Sequence, residues 1–421
     1  MVELEVKTGL ISVEKIDAAR KNISEVVLRT PWQKNLGLSN KYDCELYLKR
    51  EDLQVVRSFK IRGAYHKISS LSAQERSSGV ICASAGNHAQ GVAYSCNLLG
   101  IHGKIFMPNP TPAQKIKKVK QFGGPWISIE LVGDNFDDSR VAAEAEATKE
   151  HKAFIHPFED PMVIAGQGTI AAEILEDCKE PLDYLFVAVG GGGLISGVGS
   201  YFKQRSPDTK IIAVEASGAS CLQHSLEKGV NTSLEDIDTF ADGIAVRRMG
   251  DLNFSICQKI VDDLIAVPEG KISTAILELY NEEAIVVEPA GAVSVAAIDL
   301  WKDQLKGKKV GVIICGGNND IDRTQEIQER SMLYEGLKHY FIIKFPQRAG
   351  ALRDFLNILG PDDDITHFQY TKKNNRQTGP ALVGLELGNS EDFDVLLQKM
   401  KKENINFTHL NNDRTLFETF V

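Results

Sequence analysis

Lys60 stands in the stretch Ser58-Phe59-Lys60-Ile61-Arg62-Gly63-Ala64, with an aromatic ring before it and a glycine one turn after it. An amine at the start of a helix, partly withdrawn from water, gives up its proton more readily than one in solvent and can attack an aldehyde carbon. Taken alone, such a lysine is ordinarily a solvated surface charge. The second chemical feature is Val187-Ala188-Val189-Gly190-Gly191-Gly192-Gly193-Leu194, an apolar run that closes on four glycines ahead of a helical pattern. Glycines let the backbone approach an anion closely, and the next helix turns its unpaired N–H groups and its dipole toward negative charge. The third glycine of a dinucleotide fingerprint would fall at Ser196, and no G-x-x-x-x-G-K-[ST] run occurs. The loop therefore suits one phosphate group on something other than NAD or ATP. Two further turns of small residues, Ser84-Ala85-Gly86-Asn87-His88 and Cys315-Gly316-Gly317-Asn318, offer hydroxyl, carboxamide and thiol groups.

These residues need elements to hold them. Between about residues 45 and 330 short β-branched runs alternate with longer helical patterns, the rhythm of an α/β fold. Candidate strands are Leu46–Lys49, Gly79–Ala83, Lys104–Met107, Trp126–Val132, Ala153–His156, Tyr184–Val189, Lys210–Glu215 and Lys309–Cys315. Several are apolar throughout, as parallel strands covered on both faces must be. Ligands of such sheets bind outside the carboxyl ends of the strands, at switch points in the strand order. The glycine run and the two small-residue turns all follow candidate strands, so three strand ends are expected to converge on one ligand. Near residue 330 the composition changes. The segments Tyr340–Ile343, Arg348–Leu352, Ile365–Tyr370, Ala381–Leu387, Glu391–Lys402 and Arg414–Phe420 follow the order β-α-β-β-α-β of a small ferredoxin-like domain. The expected domains are thus 1–330 and 331–421, with a small subdomain at about 55–155 inserted in the first.

With 421 residues the chain is long enough for two or three domains, and 43% hydrophobic and 25% charged residues are ordinary for a globular protein. A net charge of −9 without a basic stripe argues against a nucleic-acid partner. The densest basic run, Lys115-Ile116-Lys117-Lys118-Val119-Lys120, reads as the solvated face of a helix with Ile116 and Val119 turned inward. Glu14, Lys15, Asp17 and Arg20 interrupt any signal-peptide core, and no stretch approaches membrane-span length. Seven cysteines at irregular spacing, without C-x-x-C, suggest neither a disulfide framework nor a zinc site. Buried thiols in a reducing compartment, the cytoplasm, are expected.

A reactive lysine, a single-phosphate cradle and a strand-end thiol point together to pyridoxal 5'-phosphate. With Ala241-Asp242-Gly243 and Glu288-Pro289-Ala290-Gly291-Ala292 added, the six ordered motifs resemble those of the threonine dehydratases over nearly the whole chain, the C-terminal regulatory region included. The resemblance implies a fold type II pyridoxal-phosphate enzyme, with two open twisted, mostly parallel sheets covered by helices, followed by an α+β ferredoxin-like (ACT-like) domain. It implies that Lys60 carries the cofactor as a Schiff base, with Phe59 beside the ring and Gly243 on the other face. Gly190, Gly191, Gly192, Gly193 and Leu194 would hold the phosphate and Asn87 the phenolic oxygen. Ser84 and the N–H groups of its turn would take the substrate carboxylate, Cys315 would meet the pyridine nitrogen, and Glu288 would order the site or cap a helix. The implied reaction is dehydration and deamination of L-threonine to 2-oxobutanoate and ammonia, with L-serine giving pyruvate, as the first committed step of isoleucine biosynthesis.

Neighbouring activities separate on single residues. Ile61-Arg62 follows the lysine where threonine synthase and cysteine synthase commonly have aspartate. Serine racemase resembles this pattern more closely, but its second turn serine, which serves the face opposite the lysine, is Ala85 here. Metal-dependent relatives carry acidic ligands where this chain has Glu215 and then Cys221, so a divalent site is expected to be degraded and no metal is expected. The resemblance implies one regulatory domain through which isoleucine inhibits and valine opposes it, with Gln347–Ala351 as a carboxylate-receiving loop; a dimerisation module is the alternative. It also implies a homotetramer. A non-catalytic amino-acid sensor is the reading from another class, and intact Lys60, Asn87 and Gly190–Gly193 stand against it.

Overall fold

The computed structural model describes residues 9–371 and 377–421, which divide into two compact units between Ile321 and Asp322. In the first unit the strands are β1 (Trp32–Lys34), β2 (Glu45–Arg50), β3 (Val80–Ala83), β4 (Gly103–Met107), β5 (Ile127–Leu131), β6 (Ala153–Phe154), β7 (Tyr184–Ala188), β8 (Lys210–Ala216), β9 (Asp263–Val267) and β10 (Lys309–Ile314). They form two sheets, ordered β1-β2-β10-β7-β8-β9 and β5-β4-β3-β6. Every pairing is parallel except β1 with β2. The short β1 has no apolar run to announce it, and β9, whose run Leu264–Val267 is apolar, was not among the strands expected from the sequence. All four residues of β3 and nearly all of β7, β8 and β10 are buried, because helices cover both faces.

The strand order reverses twice. In the larger sheet β7 lies between β8 and β10, and in the smaller β3 lies between β4 and β6. At each reversal the connections leave in opposite directions and open a crevice beyond the strand ends. The glycine run after β7 and Cys315 after β10 flank one crevice; Ser84–Asn87 after β3 and Ile155–Phe158 after β6 flank the other.

The helix Lys60–Ser69 buries Ile61, Ala64 and Ile68 and packs between the helices Asn87–Leu99 and Pro161–Asp177. A Cβ on Gly166 would stand 2.6 Å from the Cα of Gly63, so these two glycines allow the helix backbones to touch. Beside that contact, Arg62 is fully buried, with Nε and Nη2 donating to Glu51 at 2.8 Å each and Nη1 donating to Glu173 at 2.7 Å. Lys49, also fully buried, donates to Glu173 at 2.6 Å and to the Thr30 carbonyl at 2.8 Å. Two cations and two anions balance inside the protein. Replacing Arg62 by Met leaves the buried Glu51 without its cation and Glu173 with Lys49 alone, and a loss of about 3–5 kcal/mol is expected. Trp32, Trp126 and Trp301 all lie in this unit, so unfolding in urea followed by tryptophan fluorescence reads the loss.

The second unit holds β11 (Lys338–Pro346), β12 (Asp364–Tyr370), β13 (Thr378–Glu386) and β14 (Asn406–His409) in an antiparallel sheet ordered β12-β13-β11-β14. Helices Ala351–Leu356 and Asp392–Lys402 complete the β-α-β-β-α-β order around a core that includes Phe341, Ile343, Val383, Leu396 and Met400. The last strand is not Arg414–Phe420. That segment is a helix, begun by the Asp413 side chain accepting from the Leu416 N–H at 3.0 Å, and the fourth strand is β14, paired with Lys344–Phe341. Apolar residues in Arg414–Phe420 suggested a strand, but Asp413 caps a helical turn and the sheet edge was already taken.

Candidate active site

The chain around Lys60 is stitched to the end of β10. Ser58 bridges Gly316 antiparallel, the Phe59 N–H donates to the Cys315 carbonyl at 3.1 Å, and the Gly317 N–H donates to the Arg57 carbonyl at 2.8 Å. Lys60 is the first residue of its helix, and its Nζ lies 5.2 Å from the Phe59 ring centre and donates to the Pro157 carbonyl at 2.9 Å. Burial lowers the amine to about 8, against the opposing pull of Cys315 and Glu288. A lysine so placed yields its proton near neutral pH.

After β7 the backbone runs through Gly190–Gly193 into the helix Gly193–Arg205. Gly192 has φ of 87°, a conformation side chains disfavour. A Cβ on Gly190 would come within 2.7 Å of Ile244 backbone, and one on Gly191 within 2.2 Å of the Phe158 ring. The Gly191 carbonyl is tied back by Asn253 Nδ2 at 2.6 Å and the Gly250 N–H at 3.3 Å. The first N–H groups of the helix have no intrahelical acceptor and are available to an anion.

The remaining predicted residues meet around the same space. Asn87 Nδ2 donates to Glu288 at 2.6 Å, and its Oδ1 accepts from Asn318 Nδ2 at 2.7 Å. Ser84 Oγ accepts from the Gly86 N–H at 3.2 Å. Cys315 donates to the Ala290 carbonyl at 3.1 Å, and burial raises its thiol so far that it stays protonated. A Cβ on Gly243 would stand 2.8 Å from that of Ala290, so the chain lies flat there. Burial, followed by the charge of Asp242, raises Glu288 to about 7. His88 donates to the Ile155 carbonyl at 2.8 Å, and burial holds it neutral, down to about 3.

Two adjoining recesses collect these groups. One of about 260 Å³ is lined by Lys60, Ser84, Asn87, Gly191, Gly243 and Glu288 among others. A smaller one, about 30 Å³, is lined by Phe59, Lys60, Gly190–Leu194, Gly243 and Cys315. Every residue that the sequence assigned to the cofactor or the substrate therefore lies on at least one of the two, and Lys60, Gly191 and Gly243 lie on both. The sequence reading missed Pro157 and Phe158, whose one signal was their position after a strand. It also misjudged the basic run. Val119 is buried, but Lys115 and Lys118 line the larger recess and are not simply a solvated face. Glu215 lies apart from both recesses, its two oxygens accepting from the Leu222 and Gln223 N–H groups at 2.8 Å each.

Residues 23–316 match the family described as pyridoxal-phosphate dependent enzyme, and residues 329–421 match the C-terminal regulatory domain of threonine dehydratase. The biosynthetic L-threonine dehydratase IlvA of Bacillus subtilis is 56% identical over 416 residues, covering 99% of each chain. That of Halalkalibacterium halodurans is 54% identical over 414 residues, covering 98% of this chain and all of its own. The chain belongs to the pyridoxal-phosphate-dependent threonine dehydratases. Among solved structures, the processed form of threonine deaminase isoform 2 from Solanum lycopersicum is 39% identical with a TM-score of 0.71, over 76% of this chain and 94% of that one. Serine racemase from Dictyostelium discoideum is 33% identical with a TM-score of 0.68, over 74% and 99%.

The residues present fit the cofactor: a cradle that side chains would fill, a desolvated amine and a neutral thiol. Gly191→Ala places a methyl against Phe158 and is expected to abolish cofactor retention, read as loss of visible absorbance after dialysis. Glu288 makes a prediction of different kind. A carboxyl at about 7 in the folded chain, against an ordinary 4.5, binds its proton more tightly when folded. Its contribution to stability is intact below about 4.5 and is lost as pH rises through 7. In the cofactor-free protein Glu288→Gln is expected to flatten that decline in a pH series of unfolding midpoints, leaving the part due to Glu215, which burial also raises to about 7.

Proposed function

We propose that this chain converts L-threonine to 2-oxobutanoate and ammonia, and L-serine to pyruvate, at the cavity around Lys60. The observation that carries the reading is the desolvated Lys60 amine sharing one space with the Gly190–Leu194 cradle and the Ser84–Asn87 turn. Relatives named biosynthetic L-threonine dehydratase, alike over the full length, support the substrate. Bound pyridoxal phosphate supplies an aldehyde and an electron-accepting ring.

The chain's own groups do the rest. Gly190, Gly191, Gly192, Gly193 and Leu194 would hold the phosphate at the helix start, and Phe59 and Gly243 would confine the ring. Asn87 would donate to the phenolic oxygen from the amide that here donates to Glu288. Cys315, a neutral thiol, would meet the ring nitrogen without delivering a full charge. Ser84 and the neighbouring N–H groups orient the substrate carboxylate. Lys60 Nζ takes the proton from the substrate α-carbon, and the hydroxyl leaves the β-carbon. One water is thereby lost, and water returns as the released enamine hydrolyses to the oxo acid and ammonia.

Serine racemisation is the second reading, favoured by the likeness to serine racemase structures. It needs a proton donor on the face opposite Lys60, and Ala85 has no hydroxyl to give. The C-terminal unit is read as the seat of inhibition by isoleucine and of its relief by valine, in a cytoplasmic homotetramer that opens isoleucine biosynthesis. Among the described residues no helix is long and apolar enough to cross a membrane.

Steady-state assay of 2-oxo acid formation from threonine and serine, with and without isoleucine, tests the whole reading. Lys60→Ala is expected to lower the rate by more than about a thousandfold. An undiminished rate in that variant, or D-serine as the main product of the native enzyme, would overturn it. Isoleucine is expected to lower native activity and to bind the full-length chain in calorimetry; no binding would leave the C-terminal unit as a dimerisation module.

A further inference from the structure

The helix Ala113–Gly123 belongs to the smaller sheet's half of the catalytic unit. Its Val119, with Ile116 and Phe122 beside it, is packed into the core shared with β3 and β4. Its charged side reaches the other way. Lys115 and Lys118, one turn apart and therefore on one face, both line the larger recess and both end on residues of the larger half. Lys115 Nζ meets Asp242 at 2.5 Å, and Lys118 Nζ donates to Asn318 Oδ1 at 3.2 Å.

The two endpoints are not arbitrary. Asp242 precedes Gly243, which borders both recesses. Asn318 holds the carboxamide of Asn87 at 2.7 Å and the Val56 carbonyl at 2.8 Å. A solvated helix face has no reason to send two lysines of one face, Lys115 and Lys118, across a cleft to the loops that floor it. The side chains of Lys115 and Asp242 retain 29% and 41% exposure, so the pair sits at the rim, where solvent competes for it and it can form and break.

We propose that Lys115 and Asp242 form a strap across the mouth of the cavity, joining the two halves of the catalytic unit and positioning the Gly243 loop against bound substrate. Lys118 with Asn318 is the inner tie of the same helix. The pair is a positioning device and takes no part in bond making. It rests on the reading of the cavity as the site of threonine turnover.

The test is a double-mutant cycle on the holoenzyme: Lys115→Met, Asp242→Asn and both together, assayed with threonine. Each single change is expected to lower kcat/KM by about two- to fivefold, the range of a partly exposed ion pair, with KM moving more than kcat. The double variant should be no worse than either single one, because each removes the same interaction. Sodium chloride should bring the native enzyme toward the variants and leave the variants nearly unmoved. Cofactor absorbance and melting temperature should stay native. Single variants kinetically equal to the native enzyme, or effects that multiply in the double, would overturn the strap. Should the native enzyme fail to turn over threonine, the functional reading falls on its own. Amide exchange across residues 113–123 then decides the strap: faster exchange in both single variants supports it, and unchanged exchange overturns it.

Discussion

The guanidinium of Arg62 holds two carboxylates in a place water does not reach, and the geometry of the catalytic unit depends on that bond set. Glu51 follows β2, Glu173 lies on the helix Pro161–Asp177, and Lys49 comes from β2 itself. A buried charge left without its partner is among the most expensive defects a fold can carry. Four charges in mutual contact therefore admit one arrangement of the strand, the turn and the two helices. Lys60 lies two residues before Arg62 on the same helix, so the network that orients Arg62 also sets the register of the amine. The antiparallel stitch of Ser58–Phe59 to Cys315–Gly316 fixes the other side.

Around that amine the protein keeps fixed charge low. His88 and Cys315 are held neutral by burial, and Glu288 is drawn toward its protonated form. The groups nearest the amine thus carry little negative charge to stabilise an ammonium, and desolvation governs Lys60. The same condition suits a bound anion at the cradle, where backbone N–H groups provide the counter-field without a competing cation. The two crevices of the strand order explain why these groups meet. One half contributes the cradle and the thiol, the other the Ser84–Asn87 turn, and the lysine's helix lies between them.

Much of the fold was legible because parallel strands buried on both faces leave uninterrupted apolar runs; β3, β4, β7, β8 and β10 were each found within a residue or two of their limits. The strands missed were the two at the edges of the larger sheet: β1, three residues without an apolar run, and β9, whose run Leu264–Val267 is apolar but only partly buried. The segment Arg414–Phe420 misled for a related reason. Its aromatic and aliphatic residues suit a strand or a helix equally, and what separates them is a cap at Asp413 and an edge already filled by Asn406–His409. The motifs of the site were legible through chemistry: glycines where only backbone fits, an asparagine turn, a lysine at a helix start.

Arg62 and Lys115 mark where reading by sequence ends. Arg62 served to distinguish one activity from its neighbours, yet its partners are 11 and 111 positions away, and nothing local shows that it is buried. Lys115 belongs to a helix whose apolar positions were read correctly, but which way its other face looks depends on a loop 127 positions on. By itself the sequence determined the local conformations, the cofactor chemistry and the set of groups available to it. Only the tertiary structure decided which charges are withdrawn from water and which side chains span the cavity. Burial and distance are properties of packed surfaces, and no run of neighbouring residues contains them.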